Sequence, residues 1–187
     1  MPTPVGHSLM GGICYSGMKS GKFQWATFLL FVFLANLPDL DYLPGFFAGA
    51  PNKYHHAFTH SLGFSLLIGL AFGLFGKYVM HKNFGLSVLI SGGLCLSHAV
   101  LDYFAADTSY PHGVPIFWPL STQYFISPLH VFTDVYKGSN NALFWAALKE
   151  PHNWYAVLRE ILILVPIWGL VSIGRKFLPG KDKLAKA

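Results

Sequence analysis

FGLSVLISGGLCLSHAVLDYFAA, residues 84–106, is an apolar run that contains one histidine, His98, and one aspartate, Asp102. It is as long as the roughly 20 residues an α-helix needs to cross a bilayer. Three more apolar runs flank it in sequence, Phe23 to Leu37, Leu62 to Met80 and Ile161 to Leu178. The first and last are short or interrupted, because Pro38 ends one and Pro166 lies inside the other. Buried helices of a partly embedded bundle are the alternative for those two. Val5 to Met18 is apolar and glycine-rich but short for a span, so a half-embedded helix is expected there. It lacks the charged leader and small-residue cleavage site of a secretory signal and is expected to stay in the mature protein. The expectation is an all-α, multi-pass helical membrane bundle of about four to five embedded helices, with a loop-rich non-cytoplasmic segment. Residues 1–178 form one domain in this reading, and 179–187 a basic tail.

Composition points the same way. Of 187 residues, 53% are hydrophobic and 11% charged, against about 25% charged in a soluble domain. A soluble globular enzyme and a disordered chain are both excluded on that ground. The net charge of +5 does not imply nucleic-acid binding, since Arg175, Lys176, Lys181, Lys183 and Lys186 follow directly on an apolar run. On a zigzag of helices these five fall with Lys19, Lys22, Lys77 and Lys82, whereas seven of the eight acids fall on the other side. The positive-inside rule makes the cationic side, and with it the C-terminus, cytoplasmic. Cys14 and Cys95 lack CxxC spacing, so neither a disulfide framework nor a thiolate zinc site is expected.

Nine histidines are many for a chain with so few charges, and most lie on the acidic side. On a helix His98 and Asp102 project from one face and can hold a single cation, or merely each other. Asp39 and Asp41 follow directly on Pro38, and in an extended turn they point the same way. Two adjacent carboxylates at a membrane boundary repel unless something positive lies between them, the alternative being a solvated helix end. YHHAFTHS offers His55, His56 and His60; which of them converge depends on where the next helix starts. His112 and the pair His130 and Asp134, again four apart, are further candidate ligands in a loop-rich segment. His7 joins the set if its helix descends from the same side. Imidazole and carboxylate without thiolate suit zinc, manganese or iron, and the number of ligands suffices for two or three ions. Such a centre binds an anionic substrate, activates water and stabilises an oxyanion, which is the chemistry of phosphoester hydrolysis. No GxSxG, GxxxxGK[ST] or HExxH motif supports another catalytic template.

PVGHS (4–8), LPDLD (37–41), HHAFTHS (55–61), SHAVLDYF (97–104) and GVPIFWPLS (113–121), in this order, resemble the family of membrane-bound metal-dependent hydrolases, also described as LexA-binding, inner-membrane-associated hydrolases. The likeness covers about residues 1–125. It implies a helical inner-membrane fold and metal ligation by His7, Asp39, Asp41, His55, His60, His98 and Asp102. Where that family usually has His-Arg before Thr-His-Ser, this chain has His55-His56, which removes an arginine able to pair with phosphate. More distantly, the ligand order resembles the zinc-dependent phospholipase C and single-strand nuclease superfamily, with His112 and His130 with Asp134 at the later positions.

The resulting expectation is a hydrolase for a phospholipid or lipid-linked phosphoester, using a metal-activated water. Asp102 bridges metals, Asp39 or Asp41 doubles as general base, and His56, Tyr103 and Trp118 line the substrate groove. Rival readings are a metal protein without catalysis and a metal transporter. Gly69 and Gly73 form a small-residue face that packs on another helix or on another copy of the chain.

Overall fold

The computed structural model describes residues 1–19 and 21–177. Helix α1 (Pro4–Met18) starts with Thr3, whose hydroxyl accepts from the Val5 amide, and with proline at a first-turn position that its fixed φ favours. α2 (Trp25–Asn36) runs on through a 3-10 turn (Leu37–Asp41) into α3 (Tyr42–Phe47). Pro38 therefore starts that turn rather than ending the apolar segment, and Trp25–Phe47 is 23 residues of nearly continuous helix. α4 (Leu62–Tyr78) is capped by Ser61 and α5 (Phe84–Tyr103) by Asn83, each side-chain oxygen accepting a first-turn amide. A loop segment leads to α6 (Asn141–Ala147) and α7 (Pro151–Phe177). Among the described residues there is no strand, only two isolated bridges, Ala105 with Phe132 and Val114 with Phe125.

This is a helical membrane bundle. Trp25–Phe47, Phe84–Tyr103 and Pro151–Phe177 are long and apolar enough to cross a bilayer, and Leu62–Tyr78 is a shorter apolar helix. Leu29, Leu66, Leu89, Leu162 and Leu170 are all more than half exposed, which water disfavours and lipid does not. Between the helices small and polar side chains such as Gly69, Ser91 and Ala156 are buried beside a few large apolar ones, as in membrane bundles.

α1 packs at the centre of the bundle. Tyr15 packs with Phe31, Leu34 and Leu94 of α2 and α5, while Ile13 packs with Leu101 and Leu164 of α5 and α7. The Trp168 indole donates to Ser16 Oγ at 2.6 Å. The Gly69 and Gly73 face is occupied within the chain. A Cβ at Gly69 would lie 2.9 Å from the Val88 carbonyl oxygen, and one at Gly73 would strike the Val88 side chain. Of the two uses foreseen for that face, it serves packing on α5.

α7 begins ten residues before Ile161 and passes Pro166 without ending. Its polar first turns find partners. The Asn153 side chain accepts from the Tyr136 amide and donates to the Tyr136 and Ala147 carbonyls. Glu160, 1% exposed, accepts from Thr3 through its amide at 2.6 Å and its hydroxyl at 2.7 Å. Proline inside a membrane helix is tolerated because neighbouring groups satisfy the freed carbonyl.

The chain order places Pro4, the end of α2, the start of α4, the end of α5 and the start of α7 at one end of the bundle. Lys19, Lys22, Lys77, Lys82, Arg175 and Lys176 lie at the other. Lys181, Lys183 and Lys186, and with them the expected tail, lie outside the described residues.

Candidate metal centre

Four polar stretches meet at the first of these ends. His7 sits one turn into α1, Asp39 and Asp41 in the 3-10 turn after α2, His55 to His60 just before α4, and His98 and Asp102 on the last turns of α5. LPDLD is a 3-10 turn and not an extended one, yet Asp39, Asp41 and His55 still offer ligand atoms within 4.8 Å of one another. Residues Phe58–His60 form a second such turn and α4 starts only at Leu62, which leaves His55, His56 and His60 free to converge.

The innermost group is a cage. His98 donates from Nδ1 to the Ala35 carbonyl at 2.8 Å, which fixes its tautomer and leaves the Nε2 lone pair facing inward. That Nε2 lies 3.3 Å from Asp39 Oδ1, 3.3 Å from Asp102 Oδ2 and 3.2 Å from His60 Nε2. His60 Nε2 is 3.6 Å from Asp39 Oδ1 and 3.5 Å from Asp102 Oδ2. Ligand atoms at about 2.1 Å around a tetrahedral ion stand about 3.4 Å from one another. The cage has that edge length. The His7 ring stacks on His98 with centroids 3.5 Å apart, and its Nε2 is 3.6 Å from Asp102 Oδ1.

The donor atoms themselves argue for a cation. Both nitrogens of His7, Nε2 of His56, Oδ1 of Asp39 and both oxygens of Asp102 are buried without a hydrogen-bond partner. Buried polar atoms are otherwise almost always paired, and two carboxylates sharing one dry pocket cost still more. A divalent ion satisfies both requirements, and His7, His60, His98, Asp39 and Asp102 are the residues that fit it.

Asp41 stands outside this cage and orients it. Its Oδ1 accepts from His55 Nδ1 at 2.9 Å, and its Oδ2 accepts from the Thr59 hydroxyl at 2.8 Å and lies 3.3 Å from His60 Nδ1. A carboxylate on the far nitrogen of a histidine fixes the tautomer that points the near nitrogen at a metal. His55, His56 and His60 form a second set of nitrogens next to the first, sharing His60 with it. His56 adopts φ 59°, a strained left-handed conformation for a non-glycine residue. Its Nδ1 lies 3.4 Å from Asp107, which leaves Nε2 unpaired.

The titration of these loop histidines follows from burial. Desolvation holds His55 well below its usual value and pushes His56 down to about 4, against the pull of Asp41 and Asp107. For His60 burial acts in the same sense, but contact with Asp39 and Asp41 prevails and its value is raised. Burial also works to raise Asp107, yet His56 and Lys137 beside it hold its carboxyl below the usual range.

The cage has an opening. Asp39 is 12% exposed at its side chain, whereas His60, His98 and Asp102 are fully enclosed. It reaches the wall of a cavity of about 600 Å³ lined by Tyr42, Phe46, Tyr136, Phe144, Trp145 and Trp154 among others. Among the described residues, Lys137 is the only other charged side chain in that wall. Lys137 and Asp107 were not among the sites expected from sequence, and neither falls on a periodic or motif position that would single it out.

Other expected site residues lie elsewhere. His112 is exposed and donates from Nδ1 to the Asp107 carbonyl at 3.0 Å, so it serves the loop. His130 is exposed, and Asp134 pairs with His152 at 2.9 Å and with the Thr108 hydroxyl instead. The His152 ring stacks on Tyr136. Trp118 packs on Phe58, and its carbonyl accepts from Gly63 at the start of α4. Tyr103 packs on Phe104 and its carbonyl accepts from Ser127. Neither lines the cavity that Asp39 opens into.

No curated protein and no solved structure matches the chain, so the likeness in ligand order to the phospholipase C and nuclease superfamily has no counterpart there. The family model that does match speaks of location and not of hydrolysis. It is described as YdjM inner membrane protein and it spans residues 1–176. With a bundle of apolar helices and an end-on cluster of histidine and aspartate now described, the chain belongs to the YdjM family of inner membrane proteins.

Proposed function

We propose that the protein is a membrane-bound metal-dependent hydrolase acting on a phosphoester, such as a phospholipid or a lipid-linked headgroup. The observation that carries the reading is a set of unpaired buried donors next to a carboxylate that opens into an apolar cavity. His7, His60, His98, Asp39 and Asp102 hold the ions, two or three in number and zinc, manganese or iron in kind. When bound, such ions lower the pKa of water and offset charge on the phosphoryl oxygens. Asp39 accepts the proton of the attacking water, since its side chain, 12% exposed, is the part of the cage that reaches the cavity. Asp41 and the Ala35 carbonyl keep the imidazoles in register. By the positive-inside rule the cationic end and the C-terminus face the cytoplasm, and the metal centre faces the other side.

A metal protein without catalysis is favoured by one feature, the closed four-donor shape of the inner cage. Metal content by plasma mass spectrometry, together with turnover of bis(p-nitrophenyl) phosphate and phospholipids by the detergent-purified protein, separates the two. Two or more ions with hydrolysis support the enzyme. One ion without hydrolysis of any phosphoester leaves a metal staple, and no ion after reconstitution removes both.

A further inference from the structure

Resting on the hydrolase reading, we infer that the site takes an amphiphile with an anionic head and an apolar chain, the head against Lys137 and the chain passing Pro4 and Val5 into a groove between α1, α2 and α7. Two hollows carry this. The 600 Å³ cavity has Asp39 and Lys137 as its charged side chains, with aromatic and aliphatic side chains over most of the rest. A groove of about 430 Å³ is lined by Leu9, Phe28, Leu29, Val32 and Trp168. Pro4 and Val5 line both, so the two hollows border on the first turn of α1.

The chemistry of the walls fits one kind of occupant. Among the described residues Lys137 makes no ion pair, although it is partly buried beside the cage. An unpaired ammonium at the mouth of a metal centre attracts an anion. A small soluble phosphate ester has no use for the aromatic walls, whereas an alkyl chain gains about 0.8 kcal/mol for each methylene it buries. The groove lies on the lipid side of the bundle, where Leu29 is 58% exposed. Pro4 and Leu9 are five residues apart, about 7.5 Å along a helix, so a chain reaches the groove without leaving the apolar surface. The source is therefore the bilayer.

Photolabelling with dodecyl phosphonate carrying a diazirine at its chain end tests this on the full-length protein in detergent, with the label mapped by peptide mass spectrometry. The phosphonate has no ester bond to lose, so the readout needs no turnover. Label is expected on residues 28–32 and on Trp168, displaced by unlabelled dodecyl phosphonate and not by butyl phosphonate at equal concentration. Lys137→Met should cut that labelling by about tenfold, the loss of one charge-assisted contact, and Lys137→Arg should retain it. A dodecanol probe should label the groove weakly in wild type and be insensitive to Lys137→Met. Label scattered over the lipid-facing helices, equal displacement by the butyl compound, or labelling unchanged by a well-folded Lys137→Met overturns the inference. Expected labelling without hydrolysis of any phosphoester ends the hydrolase reading alone, and hydrolysis with scattered label ends this inference alone.

Discussion

His98 and Asp102 bring Nε2 and Oδ2 to 3.3 Å from each other inside the bundle, whereas His130 and Asp134, at the same spacing of four, do not meet. The first pair lies on α5, where 3.6 residues per turn put both side chains on one buried face. The second lies in the segment between α5 and α6, where the backbone turns without helical repeat and Asp134 turns to His152. Spacing has chemical meaning only on the element that gives it. The surroundings differ as well: the α5 pair is fully enclosed, whereas His130 is exposed and Asp134 partly so.

The comparison is broken most directly at α5. Asp102→Ala removes from the cage the carboxylate that lies against His7, His60 and His98, and bound metal measured by plasma mass spectrometry should fall to background. A variant that keeps its full metal content would place the ion elsewhere. Asp41→Asn should act more gently, lowering metal affinity by about 10- to 100-fold while leaving a loadable site, as loss of an orienting carboxylate does; titration with a competing chelator reads this. Acidification should release metal early. A ligand nitrogen must be unprotonated, and His60 holds its proton to a pH above its usual 6.5, so affinity should already fall as pH drops through neutrality. Loading that is flat between pH 8 and 6 by the same titration, a window on the order of the histidine range, would remove His60 from the ligands. The smallest effect is expected at the loop pair. His130→Ala and Asp134→Ala should both leave metal content unchanged, the latter costing about 1–3 kcal/mol of stability for its part-buried bond to His152.

Much of the fold follows from runs of apolar residues. α4 and α5 begin where the apolar runs do, because Ser61 and Asn83 cap their first turns. α7 was legible only in its second half. His152, Asn153, Arg159 and Glu160 dilute its first turns, and the partners that make them affordable there, Tyr136, Ala147 and Thr3, are distant in sequence. The inner ligands were legible because histidine and aspartate in apolar helices have few other uses. The hydrogen bonds of Asp41 to His55 and Thr59 were not, since those partners come from a separate loop. Lys137 was invisible for a simpler reason: a single cation in a loop has no pattern until its cavity is seen.

The hydrogen bonds from Thr3 to Glu160 join residues 157 positions apart. During synthesis the cage residues, the last of which is Asp102, emerge well before Glu160 does. The first helix therefore enters the membrane without its final hold, and the helix made last is the one that secures it. Until then the placement of His7 depends on α2 and α5 alone, so assembly of the metal centre and insertion of α7 are coupled steps, and a chain cut before residue 160 carries every inner ligand yet lacks the latch that sets one of them.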